Sequence, residues 1–238
     1  MGRGLSPAAR DPSWLADAAV GQDRRLFFLI YISEYDLGVV SQDVRAAGAV
    51  VLPSRWYEPP AGRTPDMTLG SHLEGLLTPS PYEIVVPIRY DHLIDLEAGN
   101  LLAASRPSTR LLLLRRRRPL TEAASSFLDD HWNDWRELDE EQRYGRMWNR
   151  LYEVGRAMAD VQSYVDALDL RMGLVQLNHR RDMFDFYLDR IARLLRVDQS
   201  NLNPQWFGVE NQDVLDAEDE LSEWFAERTR ERLLGPRD

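Results

Sequence analysis

"LLLLRRRRPL", residues 111–120, sets four leucines against four arginines and closes on a proline. The unbroken apolar run, extended back to Thr109, reads as a strand covered on both faces, since a half-exposed strand alternates apolar with polar. Successive side chains on a strand point to opposite faces, so four consecutive arginines do not line one groove. Pro119 ends the run. The stretch therefore predicts a boundary: a buried strand over 109–116 stops, and a different pattern begins.

Upstream of the boundary, short strands alternate with short helices. "RLFFLIYI", residues 25–32, is the most apolar run in the chain and predicts a strand buried on both faces. "SEYDLG", residues 33–38, reads as a polar turn after it, and "SQDVRAAG", residues 41–48, as a helix with Ser41 as cap and Gly48 as stop. "AVVLPSRW", residues 49–56, predicts a second strand, and the Pro- and Gly-rich "YEPPAGRTPDM" a loop. "SHLEGLL" predicts a short helix. "YEIVVPIRY", residues 82–90, predicts a third strand, placed at a sheet edge because Pro87 cannot donate to a ladder. Residues 91–104 read as a helix or a turn. These elements amount to a small mixed sheet of about four strands with helices packed on it.

Downstream, no proline occurs between Pro119 and Pro204, and the apolar spacing changes to three and four. A first helix is expected from about Thr121 to Leu138. Then Tyr144, Met147, Leu151, Val154, Met158, Val161, Val165, Leu168, Met172 and Val175 follow strict heptad spacing. A second seam overlaps it, at Leu170, Leu174, Leu177, Arg181, Phe184, Leu188, Ile191 and Leu195. Leu174 lies about 200° round a helix from Met172, so the stripes face opposite ways. The chain is expected to break or kink between Gly173 and Asp182. Val214, Ala217, Leu221, Trp224 and Phe225 predict a last amphipathic helix.

The predicted class is α+β: a small sheet domain over 1–118, then a helical bundle over 119–238 containing a long heptad helix. That outline, an α/β head feeding long helices, is similar to the cytosolic part of CorA-type metal-ion transporters. The chain has no transmembrane pair and no Gly-Met-Asn motif, so no residue or function carries over.

Composition excludes several chemistries. There is no cysteine, hence no disulfide, thiolate metal site or cysteine nucleophile. All 29 basic residues are arginine. Without lysine there is no Schiff base and no P-loop or kinase-type lysine. Two readings account for the missing lysine: a GC-rich, bacterial genome, or selection against lysine modification. No apolar run approaches the roughly 18 residues of a bilayer span, and the N-terminus lacks the apolar core of a signal peptide. A cytoplasmic protein is expected. Gly2 and Ser6 match an acylation pattern by chance spacing.

Charge is uneven. Residues 1–118 carry 14 arginines against 13 acids; residues 119–238 carry 15 against 26. A surface that acidic repels a nucleic-acid backbone, so nucleic acid is not the expected partner. The arginines gather in one island, Arg106, Arg110, Arg115, Arg116, Arg117 and Arg118, with no acid between Glu97 and Glu122. Eight acids follow within Glu122–Glu141. The island is expected to pair with that acidic face or with a neighbouring subunit; binding of an anionic ligand is the alternative.

Motifs for a defined reaction are missing. "DDHWNDW", residues 129–135, resembles a metal site, but His131 shares the apolar face of Phe127, Trp135 and Leu138, about 100° from Asp130. No Glu-x-x-His, H-E-x-x-H or G-x-S-x-G occurs. No metal and no cofactor are expected. The enzyme candidates are Glu34 and Asp36, because acids just after a central strand are where α/β enzymes place catalytic groups. Function reads first as a non-enzymatic assembly or adaptor protein, a homo-oligomer or the partner of another protein, associating through the heptad helix. The alternatives are a small hydrolase or nucleotide-processing enzyme using Glu34 and Asp36, and a regulatory module binding an anion at the arginine island.

Overall fold

A computed structural model gives the fold. It describes residues 8–9, 11–15, 26–46, 49–77, 84–93, 109–116, 118–167, 172–177, 193 and 212–235. The fold is α+β. Five strands form one sheet: β1 (Leu26–Tyr31), β2 (Val50–Val51), β3 (Ile84–Arg89), β4 (Thr109–Arg116) and β5 (Met172–Leu177). Their order is β2-β3-β1-β4-β5, and every neighbouring pair runs parallel where a mixed sheet was expected. The helices are α1 (Pro12–Leu15), α2 (Glu34–Ala46), α3 (Leu69–Leu77), α4 (Pro119–His131), α5 (Glu140–Ala167) and α6 (Gln212–Leu234).

The apolar runs fall where a parallel sheet needs them. Leu26, Phe28 and Ile30 of β1 share one buried face with Ile84, Val86 and Ile88 of β3 and with Leu111 and Leu113 of β4. Trp14, Leu69 and Leu73 cover it from α1 and α3, and Val161 and Val165 from the last turns of α5. The alternate residues Phe27, Leu29, Val85, Leu112 and Leu114 are buried as well, so the three strands β1, β3 and β4 are covered on both faces. A second core holds the helices together: Ala123, Ala124, Phe127 and Leu128 of α4, Met147 of α5, and Ala217, Leu221 and Phe225 of α6.

Several expectations give way. The turn over 33–38 is the first turn of α2, which runs through Ser41 instead of starting there. Ser33 caps it, its Oγ accepting the Asp36 N–H at 3.4 Å, in the S-x-x-D pattern of a helix start. β2 has two residues where eight were expected. β3 is an interior strand, yet Pro87 is tolerated because β2 ends at the Val51–Val85 pair. Beyond that end the Pro87 carbonyl accepts the Trp56 indole N–H at 2.7 Å, in place of a ladder partner. α4 stops at His131, and turns fill the gap to α5.

The long heptad helix is shorter than its pattern. α5 ends at Ala167; Met172 and Val175 lie in β5, paired with Leu111 and Leu114 of β4. Leu168 falls outside the described residues. A strict spacing continued by chance into a strand whose alternation also supplies apolar residues. The boundary expected at 118/119 consequently falls inside one hydrogen-bonded sheet, since β5 comes from the half assigned to helices. The second seam, residues 178–192 included, lies outside the described residues apart from its stretch in β5. None of the described helices is long and apolar enough to cross a membrane.

Candidate functional site

The sheet order fixes where a ligand can sit. The chain leaves β1 toward β2 on one side, and leaves β4 toward β5 on the other. β1 and β4 are neighbours, so their connections diverge at their carboxyl ends. Open parallel sheets form ligand crevices at such a switch point. A polar cleft of ≈ 380 Å³ opens at this end of the sheet.

Each wall comes from a different segment. Ile32 and Glu34 follow β1, Ser54 and Arg55 follow β2, and Arg89 and Tyr90 end β3. Ser126, Asp129 and Asp130 come from the last turns of α4, and Arg150 from α5. Three carboxylates and three guanidinium groups thus line one concavity. Glu34 is solvent-exposed, and its Oε1 accepts the buried Tyr31 hydroxyl at 2.9 Å. Burial, with the Glu34 charge and this bond, raises the Tyr31 pKa. The Asp129 carboxylate bridges two segments: Oδ2 accepts the Glu34 backbone N–H at 2.9 Å, and Oδ1 accepts the Ser33 hydroxyl at 3.2 Å. Asp129 therefore satisfies the first orphan N–H of α2 from a helix 95 residues away in sequence.

The arginines differ in how closely they are paired. Arg89 forks onto Asp91, Nε to Oδ1 at 2.7 Å and Nη2 to Oδ2 at 2.6 Å. Arg150 pairs with Asp130 and with Glu153, the latter at 3.0 Å. Arg55 sits on the turn after β2 with its side chain 77% exposed and meets Glu58 only at 3.9 Å.

Behind the cleft lies a buried ionic cluster. Arg116 Nη2 sits 2.6 Å from Asp36 Oδ1 and 2.9 Å from Glu218 Oε1, with all three side chains almost fully buried. Arg115, half-buried, reaches Glu122 at 3.2 Å. Burial is the leading cause of raised carboxyl pKa values here: Glu122 to about 7, Glu218 to about 8, and Asp36 upward. The arginines oppose that rise without cancelling it.

Of the enzyme candidates, Glu34 lines the cleft and Asp36 does not; the two-residue step between them turns the helix by about 200°, which sends Asp36 inward to Arg116. The arginine island is divided. Arg115 and Arg116 are engaged in ion pairs, Arg118 is exposed just before α4, and Arg110 lies in β4. Arg106 and Arg117 fall outside the described residues. The heptad positions are spent inside the chain: Tyr144, Met147 and Leu151 in the helical core, Val154 buried, and Met158, Val161 and Val165 against the sheet. The His131 ring packs at a tilt against Phe127, centroids 4.8 Å apart, and contacts Asp134. Among the described residues no group of three or more histidine or acidic side chains is arranged to hold a metal.

Sequence reasoning missed Arg55, Arg89, Asp129, Arg150 and Glu218, which come from five separate stretches with no shared spacing. The one legible signal was S-x-x-D at Ser33–Asp36, which marks a helix start and so turns Glu34 toward the strand ends. Comparison with protein-family models, with curated proteins and with solved structures finds no match to this chain.

Proposed function

We propose that the chain is a hydrolase acting on a small phosphate-bearing substrate, a nucleotide or related phosphoester, held in this cleft. One observation supports it above all: the exposed Glu34 carboxylate stands at the carboxyl end of the central strand, in a cleft shared with Arg55, Arg89 and Arg150. Guanidinium groups match phosphate oxygens in geometry and charge. Glu34 acts as general base: it takes a proton from water as the water oxygen bonds to phosphorus and the bond to the leaving oxygen breaks. The substrate is small and not polymeric, because the acidic second half of the chain repels a nucleic-acid backbone. A cytoplasmic site of action belongs to the same proposal.

The test is a melting and turnover panel with pyrophosphate and nucleoside mono-, di- and triphosphates. A true ligand at 100 times its Kd adds about 2.7 kcal/mol of stability. Glu34→Gln is expected to keep that shift and to lose turnover by about 10²–10⁴-fold. No shift with any probe overturns the reading.

A second reading, self-association or docking of a protein partner, has its own observation. Trp148 and Tyr152, one turn apart on α5, are 51% and 67% exposed. Association would use this outer face instead of the buried heptad seam. Sedimentation equilibrium checks it: a monomer across the micromolar range removes self-association.

A further inference from the structure

A second cavity, of ≈ 250 Å³, adjoins the cleft where the turn after β3 packs on α5. The buried part of its lining is apolar: Leu93, Ala157 and Val161. Half-buried Tyr90 and Tyr164 add two aromatic rings, and Asp91, Glu153 and Asp160 add carboxylates. Tyr90 lines the cleft and the cavity alike. Arg89 of the cleft pairs with Asp91 of the cavity at 2.6 Å, and Arg150 of the cleft with Glu153 of the cavity at 3.0 Å. Carboxylates of one space thus hold guanidinium groups of the other.

We propose that this cavity holds the organic half of the substrate, an amino-bearing nucleobase, while the phosphate lies on Arg55, Arg89 and Arg150. The inference rests on the hydrolase reading and names its substrate class, a nucleotide of adenine, guanine or cytosine. Small-molecule sites are concave and mostly apolar, with a few polar groups converging on the ligand. The cleft supplies the charged half of such a site and the cavity its apolar half. Together their volumes fall within the roughly 300–1,000 Å³ usual for these sites.

The chemistry of the lining selects among occupants. A second phosphate is disfavoured, because carboxylates are acceptors and offer an anion no hydrogen bond. Among the described lining residues Arg156 alone is a cation, and it faces Asp160 at 3.6 Å. A full ammonium charge is disfavoured as well. Asp91, Glu153 and Asp160 each face an arginine, so little net field is left to offset the desolvation of a cation. A neutral planar ring carrying N–H donors fits both constraints. Its faces stack on tyrosine rings. Its amino group donates to a carboxylate, whose oxygens each accept more than one hydrogen bond and so serve a ligand and an arginine together.

Methyl ¹³C NMR of the full chain tests the subsite, with the Val161 signals assigned by Val161→Ile. Adenosine and cytidine, which carry no phosphate, are expected to shift the Val161 methyls, and choline to leave them in place. Adenosine is expected to bind about tenfold more tightly than purine riboside, which lacks the amino group; that is roughly the effect of one hydrogen bond to a charged acceptor. Adenosine monophosphate is expected to bind at least about tenfold more tightly than adenosine, because it engages both spaces at once. Val161 signals unmoved by both nucleosides in the wild-type protein overturn the proposal. Equal affinity for purine riboside, or tighter binding of choline, overturns it too. So does adenosine monophosphate binding no better than adenosine while pyrophosphate binds. Pyrophosphate unbound and every nucleotide unhydrolysed, with adenosine still shifting Val161, would instead sink the hydrolase reading and leave the base site standing.

Discussion

Arg116 shows how one residue can be conspicuous in sequence and still be misread. It stands in a run of four arginines, yet it is buried at the end of β4 between Asp36 and Glu218. Its ion pair to Glu218 spans 102 residues, so no local spacing announces it. Removing the arginine strands two buried acids; Arg116→Met is expected to cost about 3–5 kcal/mol in urea unfolding. Glu218→Gln leaves Arg116 and Asp36 as a balanced pair and is expected to be much milder at pH 7. The pH dependence follows from the same cluster. Glu218 binds its proton more tightly folded than unfolded, with a folded pKa of about 8 against an ordinary 4.5. The native state then holds more protons than the unfolded chain between those values, so stability falls as pH rises through that window. Glu122, raised to about 7, adds to the same slope. Stability of the wild type is expected to decline from pH 5 to pH 9, and Glu218→Gln to flatten the upper part of that decline. A wild-type profile that rises toward pH 9 would remove the buried excess acid from the account. Glu34 was legible for the opposite reason: it follows directly on the most apolar run in the chain, and strand ends in α/β folds are where exposed acids matter.

Elements were readable in sequence where their pattern was long or their faces were both buried. β1 and β4, apolar throughout their centres, meet the second condition, and their observed spans stay within two residues of the readings. Pro87 was less transparent. The rule that proline marks an edge is sound, but what it needs is a locally absent neighbour, and two-residue β2 supplies that inside the sheet. Trp56→Phe removes the indole N–H from the Pro87 carbonyl while keeping most of the apolar bulk. It is expected to cost about 1–3 kcal/mol, the penalty of a buried acceptor left without its donor. α5 carries the sharper lesson. Its stripe is shared by two cores, the early turns with α4 and α6 and the late turns with the sheet. Spacing alone does not distinguish a seam facing another chain from one consumed at home. Met147→Ala, at a fully buried position, is expected to lose about 2–5 kcal/mol. Trp148→Ala, on the outer face next door, is expected to change the monomer little, and the contrast in denaturant midpoints reads the orientation of the helix directly.

At the scale of the whole molecule, composition predicted a change of character at Pro119, and secondary structure does change there. Strand pairing does not follow the same line. β5 is the strand that makes β4 an interior one, and Val161 and Val165 close the face over Phe28 and Ile30. Both come from beyond Pro119. A fragment ending at Arg118 would leave Leu111–Leu114 on an open edge and uncover one face of the sheet. Exposed apolar edges of this kind pair with other chains. The fragment is expected to aggregate or to show no cooperative melting, whereas the full chain is expected to melt in one transition by near- and far-UV circular dichroism alike. A soluble, cooperatively folded fragment of residues 1–118 would restore the two-domain division that the composition suggests. The candidate site argues the other way, because it cannot be assembled from either half. Glu34, Arg55 and Arg89 come from before Pro119; Asp129, Asp130 and Arg150 come from after it. Sequence reading located the first acid of the cleft and none of its counterparts, since what unites them is the order in which five parallel strands meet. That order is set by long-range pairing, which no local pattern encodes.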